Sequence, residues 1–128
     1  MNSELKEEIK NTVVKIHPSR FAYLQSSNTQ NDSYFLATKD NDEITFIVEE
    51  KNIEKFDFQK INKWFKLIEF KITKPFLCVG FLAAVSKTIS EKGMNILIVS
   101  TFSKDYILIK EEELEKAREA LKETGFAI

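Results

Sequence analysis

Apolar and polar positions alternate over Thr12-Val13-Val14-Lys15-Ile16, which predicts a strand that stops at His17-Pro18, where proline removes an amide donor. Ser19 then stands where it can cap a short helical turn through Phe21-Ala22-Tyr23-Leu24, and the polar run from Ser26 to Ser33 reads as a loop. Two β-branched and aromatic runs, Tyr34 to Thr38 and Glu43 to Val48, flank Lys39-Asp40-Asn41-Asp42 and predict a hairpin. Residues 51–63 place apolar groups at 53, 56, 58 and 61, enough for a short helix at best before Trp64. From Lys66 to Ile72 the pleat is cleaner. Ile68, Phe70 and Ile72 share one face, and Glu69 and Lys71 share the other.

The longest predicted helix runs from Phe76 to Lys92, with Pro75 at its first turn and Gly93 as its left-handed stop. Cys78, Phe81, Leu82, Val85 and Ile89 form its core stripe, while Val79, Ala83 and Ala84 offer a second apolar flank to a partner lobe or subunit. The unbroken runs Ile96–Val99 and Tyr106–Ile109 have the pattern of central strands. Residues 111–124 form a last helix, acidic in its first turn, with Leu114, Ala117 and Leu121 on one face and Gly125 as its stop. Its Glu and Lys residues read as a solvated face. The second half therefore reads strand–helix–strand–hairpin–strand–helix, and the first half repeats that order with a stunted helix. This predicts an α+β fold of ferredoxin-like split βαβ type: a mixed, largely antiparallel sheet with helices on one face. Lobes of about 60 residues are marginal alone, so residues 1–64 and 65–128 are expected to share one sheet or interface.

Composition narrows the chemistry. Nineteen basic and twenty acidic residues leave a net charge of -1. The split is even: 9 basic and 11 acidic side chains fall before residue 65, and 10 and 9 after it. Neither half has the cationic excess that a nucleic-acid or anionic-membrane binder needs. No apolar run approaches a membrane span, the start MNSELKEEIK has no secretory core, and Cys78 has no disulfide partner, so a cytoplasmic protein is expected. One histidine and one cysteine are too few for a zinc site, and Gly80, Gly93 and Gly125 are too scattered for a phosphate loop. Cys78 sits in the apolar run Phe76-Leu77-Cys78-Val79 and reads as a packed side chain rather than a nucleophile. No nucleophile–base pair or acid–base pair of carboxylates can be located, so no catalytic residue, metal or cofactor is expected.

The segments Ile89-Ser90-Glu91-Lys92-Gly93-Met94-Asn95-Ile96 and Ser100-Thr101-Phe102-Ser103-Lys104-Asp105-Tyr106-Ile107-Leu108-Ile109-Lys110-Glu111-Glu112 resemble the ACT domain of short, stand-alone tandem bacterial proteins. Gly80 and the stretch from Leu114 to Gly125 match the same pattern. The first half matches it through Asp42-Glu43-Ile44-Thr45-Phe46-Ile47-Val48 and Trp64. The resemblance implies two ACT lobes and a regulatory, non-catalytic protein that binds a free amino acid, pairs as a homodimer and acts on a regulated enzyme.

In that family the ligand meets the turn after the first strand, the start of the first helix and nearby strand backbone. That implies a site of Phe76, Leu77 and Gly80 with Ser100, Thr101 and Asp105; the last three also fit a Ser-Thr-aromatic-x-x-Asp segment similar to one in arginine-sensing animal proteins. The chemistry is coherent. The Asp105 carboxylate suits an α-ammonium, and the helix N-terminus at Pro75 to Leu77, with free N–H groups after the proline, suits an α-carboxylate. Leu77 replaces a serine usual in the family, and Lys104 a threonine; Lys104 is expected to point into solvent. Asp105 also has a structural reading, as the residue that closes the turn after Lys104. A protein-interaction module that docks on an enzyme or regulator without a ligand is the alternative function.

Overall fold

The computed structural model describes all residues from Met1 to Ile128. Helix α1 (Ser3–Asn11) precedes strands β1 (Val13–Ser26), β2 (Leu36–Lys39) and β3 (Ile44–Glu49). A 3₁₀ turn (Glu50–Lys55) leads to β4 (Lys60–Lys71), α2 (Phe81–Glu91), β5 (Leu97–Ser100), β6 (Asp105–Lys110) and α3 (Leu114–Thr124). The six strands form one sheet in the order β2-β3-β1-β4-β6-β5. Every neighbouring pair is antiparallel, so the sheet is not mixed.

β1 and β4 are its spine. They pair from Val13 opposite Lys71 to Gln25 opposite Lys60. The second half of β1 also pairs with β3, and the second half of β4 with β6. β4 and β5 consequently run parallel on either side of β6, joined by α2 in a split βαβ unit. β1 and β2 flank β3 in the same way, but the loop 27–35 takes the place of a helix.

All three helices cover one face. Leu5 and Ile9 of α1, Phe81, Val85 and Ile89 of α2, and Ala117, Ala120 and Leu121 of α3 pack on Ile68, Phe70, Ile107 and Ile109. The opposite face buries Phe21, Ile47, Phe65, Leu67, Tyr106 and Leu108 without a helix, because the sheet curls. Phe35, next to edge strand β2, reaches Tyr106 on β6 at 4.9 Å between ring centroids, although three strands lie between. β6 is thereby buried on both faces from Asp105 to Ile109. A third cluster around Leu24, Phe46, Val48 and Phe56 lies beneath Ile53 of the 3₁₀ turn and Trp64.

Several expectations change. β1 does not stop at His17-Pro18: its register slips between Ile16, opposite Ile68, and Arg20, opposite Lys66. Pro18 sits in that bulge, where no ladder donor is needed, and Lys66 Nζ donates to the Pro18 and Ser19 carbonyls at 2.7 and 3.1 Å. Residues 21–24 are strand, not a helical turn. Phe21 and Leu24 fall into cores on opposite faces, which erases the alternation that would have marked a strand. α2 begins at Phe81, five residues later than expected. β5 is an edge strand rather than a central one. Helix α1 was not anticipated; Asn2 caps it by accepting the Leu5 N–H at 2.8 Å.

Candidate functional site

The chain leaves β4 at Lys71 and reaches α2 through residues 72–80, a segment that cannot be helical. Phe76 and Gly80 lie at φ 67° and 89°, and the helix starts only after Gly80. No side chain caps it. Ala84 N–H reaches the Gly80 carbonyl at 2.9 Å, while the N–H groups of Leu82 and Ala83 find no backbone acceptor. These two, rather than those of residues 75–77, are the free donors at the positive end of the helix. The start of the segment is fastened from α1. The buried Glu8 carboxylate accepts the Thr73 N–H at 3.1 Å, the Thr73 hydroxyl at 2.7 Å and the Lys74 N–H at 3.0 Å.

Facing the α2 start is the turn between β5 and β6, closed by Thr101 N–H on the Lys104 carbonyl at 2.9 Å. Asp105 stands opposite Phe70 of β4 and so points to the helical face. It is only 9% exposed, and Ser100 Oγ donates to its Oδ1 at 2.7 Å. No buried side-chain polar atom lacks a partner, so the other oxygen, which receives no donor from the chain, is open to solvent. Lys104 points the other way, with Nζ 3.8 Å from Glu69 Oε2. Glu69 Oε1 in turn meets His17 Nε2 at 3.0 Å. The Lys104 ammonium is thus paired with Glu69 rather than simply solvated, and it does not occupy Asp105.

Between the helix start and the turn lies a pocket of about 350 Å³, within the range of small-ligand sites. It gathers Asp105, Ser100, Thr101, Phe76 and Gly80 from the expected set. Leu77 stays outside the lining, 71% exposed. Phe102 belongs to the wall and was legible only as the aromatic of the Ser-Thr-aromatic segment; Glu8 carried no sequence signal. Cys78 borders the pocket, but burial and the charges of Glu8 and Glu4 push its thiol up, against nucleophilic use. His17 is engaged with Glu69 on the face away from the helices and does not pair with Cys78. No three His, Cys, Asp or Glu side chains come together as metal ligands. A wider, shallower groove of about 470 Å³ lies beside Tyr23, Lys60 and Asn62, but there Gln25 and Glu43 satisfy each other at 2.7 Å. No helix is long and apolar enough to cross a membrane.

Known proteins place this geometry in context. The family profile of the ACT domain matches residues 67–123. A Vibrio cholerae protein of unknown function superposes with a TM-score of 0.81 at 16% identity, over 95% of this chain and 96% of that one. An Agrobacterium tumefaciens protein gives 0.70 at 22%, with 88% of each chain covered. The regulatory subunit of aspartate kinase from Thermus thermophilus, in its ligand-free form, gives 0.65 at 9%, over 87% of this chain and 95% of that one. At these identities the likeness is one of fold. Among curated proteins, none matches the sequence.

Proposed function

From the match of residues 67–123 to the ACT-domain family model, we propose a non-catalytic regulatory protein that binds a free amino acid in the pocket between the α2 start and the β5–β6 turn. One observation carries the reading. Asp105 is buried, holds one oxygen on Ser100, and presents the other in a pocket that the uncapped α2 terminus also lines. A zwitterion needs such opposite poles: a carboxylate for its ammonium and free N–H groups for its carboxylate. A thermal-shift screen of the twenty amino acids tests it. A ligand at about 100 times its Kd adds about 2.7 kcal/mol, roughly 10 °C for a domain of this size. No shift with any of them at about 10 mM overturns the reading.

The strand order supports two ACT lobes, one before and one after residue 64, joined edge to edge by the pairing of β1 with β4. The lobe built on α2 carries the site. In the other, the loop 27–35 stands where a helix would, tied down by Gln30 to Asp57 and Asn31 to Lys55. A homodimer is part of this reading, supported by β5, an edge strand that is uncharged and keeps Ile98 38% exposed. Light scattering at about 100 μM checks this, and a monomer mass contradicts it.

A second reading, docking on an enzyme or regulator without a ligand, is favoured by the patch of Phe76, Leu77, Val79 and Phe102, each more than 70% exposed. Pull-downs with and without amino acid separate the two, since a sensor changes its partners when its ligand is added.

A further inference from the structure

Besides Asp105 and Ser100, which share a hydrogen bond, the pocket is lined by Pro75 and by the paired rings of Phe76 and Phe102. The Phe76 and Phe102 rings stand edge to face, 5.3 Å between centroids, yet they are 77% and 82% exposed. Two phenyl rings held against each other in water leave apolar faces for a third group. Phe76 also holds φ 67°, a backbone conformation uncommon for a bulky side chain, so the chain bears local strain where this ring joins the pocket.

Charge restricts the third group. Asp105 is the one acid of the lining, and on the amino-acid reading it is taken by the ligand ammonium. Lys104 is the one base, and its ammonium is turned to Glu69. A charged ligand side chain would therefore find no free counter-charge in the lining, and against exposed rings a cation gains only a weak cation–π contact. Resting on the amino-acid reading of the site, we propose that the ligand is an amino acid with an uncharged, apolar side chain of large aliphatic or aromatic size, packed against Phe76 and Phe102.

Calorimetric titration of the intact protein with L-phenylalanine, L-leucine, L-alanine, L-arginine and L-glutamate tests this. L-Phenylalanine or L-leucine should bind at least about tenfold tighter than L-alanine, since each added methylene in an apolar pocket is worth about tenfold or more. Its heat-capacity change should also be more negative, the mark of buried apolar surface. L-Arginine and L-glutamate should bind no better than L-alanine. Phe102→Ser, at an exposed position, should remove the preference for L-phenylalanine over L-alanine. If L-arginine or L-glutamate binds tightest, the side-chain assignment is overturned while the amino-acid site stands. An unchanged preference in Phe102→Ser overturns the assignment of the wall. If none of the five binds and the thermal-shift screen of the twenty shows no shift either, the amino-acid reading itself falls and takes this one with it.

Discussion

Ser100 and Asp105, the last residue of β5 and the first of β6, face each other across the turn, and the serine hydroxyl holds one carboxylate oxygen at 2.7 Å. The bond fixes the carboxylate without consuming it. Asp105→Ala should therefore cost about 2–4 kcal/mol of amino-acid binding, some thirty- to a thousandfold in Kd, because a ligand ammonium is left unpaired. Stability should fall by only about 1 kcal/mol or less. Melting temperatures with and without the best amino acid from the screen measure both quantities. Lost stability with unchanged affinity would make Asp105 a turn residue.

Lys104→Thr is the companion variant. Because the lysine already turns to Glu69 at 3.8 Å, removing it frees no space at Asp105. Affinity should be equal or slightly tighter, and the partly exposed ion pair should change stability by less than about 1 kcal/mol. A tenfold loss of affinity would place the ammonium in the site.

Glu8 joins α1 to the pocket segment through the Thr73 and Lys74 N–H groups and the Thr73 hydroxyl. Glu8→Ala leaves those donors without their acceptor and should cost about 2–3 kcal/mol in urea unfolding. Glu8→Gln keeps one acceptor oxygen and should cost less. Equal losses for the two variants would show that packing, rather than the carboxylate bonds, matters there.

Gly80 and Gly93 both have positive φ, 89° and 78°; a Cβ at Gly80 would make only an ordinary contact with Leu5 Cδ2 at 3.4 Å, and one at Gly93 meets nothing within 4 Å. Each alanine should therefore cost about 1 kcal/mol from the backbone alone, and the two losses should be similar. Denaturant midpoints of the two variants give the comparison, and a clearly larger loss at Gly80 would show crowding against Leu5 instead.

Burial pushes the Tyr23 hydroxyl up to about 12. Burial, and then the charge of Glu69, push Tyr106 up as well. A tyrosine whose folded value exceeds its unfolded value near 10 holds its proton more firmly in the folded state. Its contribution is complete below pH 10 and is lost as pH rises from 10 through 12. Tyr23→Phe should flatten that alkaline loss in urea unfolding between pH 9 and 11.5. An unchanged slope would remove Tyr23 as its cause.

What was legible in the chain depended on whether one face or two were covered. The hairpin of β2 and β3, the glycine stops at Gly93 and Gly125, and the stripe of Phe81, Val85 and Ile89 follow from local pattern and reappear in the structure. The long β1 was hidden because Phe21 and Leu24 bury on opposite faces of a curled sheet, a tertiary effect that local alternation cannot encode. The start of α2 was misplaced because Pro75 is a permissive signal, while positive φ at Phe76 and Gly80 overrides it. Ser100, Thr101 and Asp105 come together at the site because the turn between two pairing strands fixes their spacing. Leu77 misses it because its place was inferred from a helix that begins later.

The two spine strands interlock the halves of the chain: a cut after residue 64 falls inside β4 and separates Val13 to Ile16 of β1 from their strand partners, Ile68 to Lys71. Neither fragment would keep the six-stranded sheet, so the molecule should melt as one cooperative unit rather than in two steps. The single tryptophan, Trp64, packs with the cluster beneath the 3₁₀ turn and makes no part of the pocket wall. Its fluorescence nonetheless becomes a native reporter for the pocket, because any ligand that stabilises the helix end of such a unit delays unfolding everywhere along its spine.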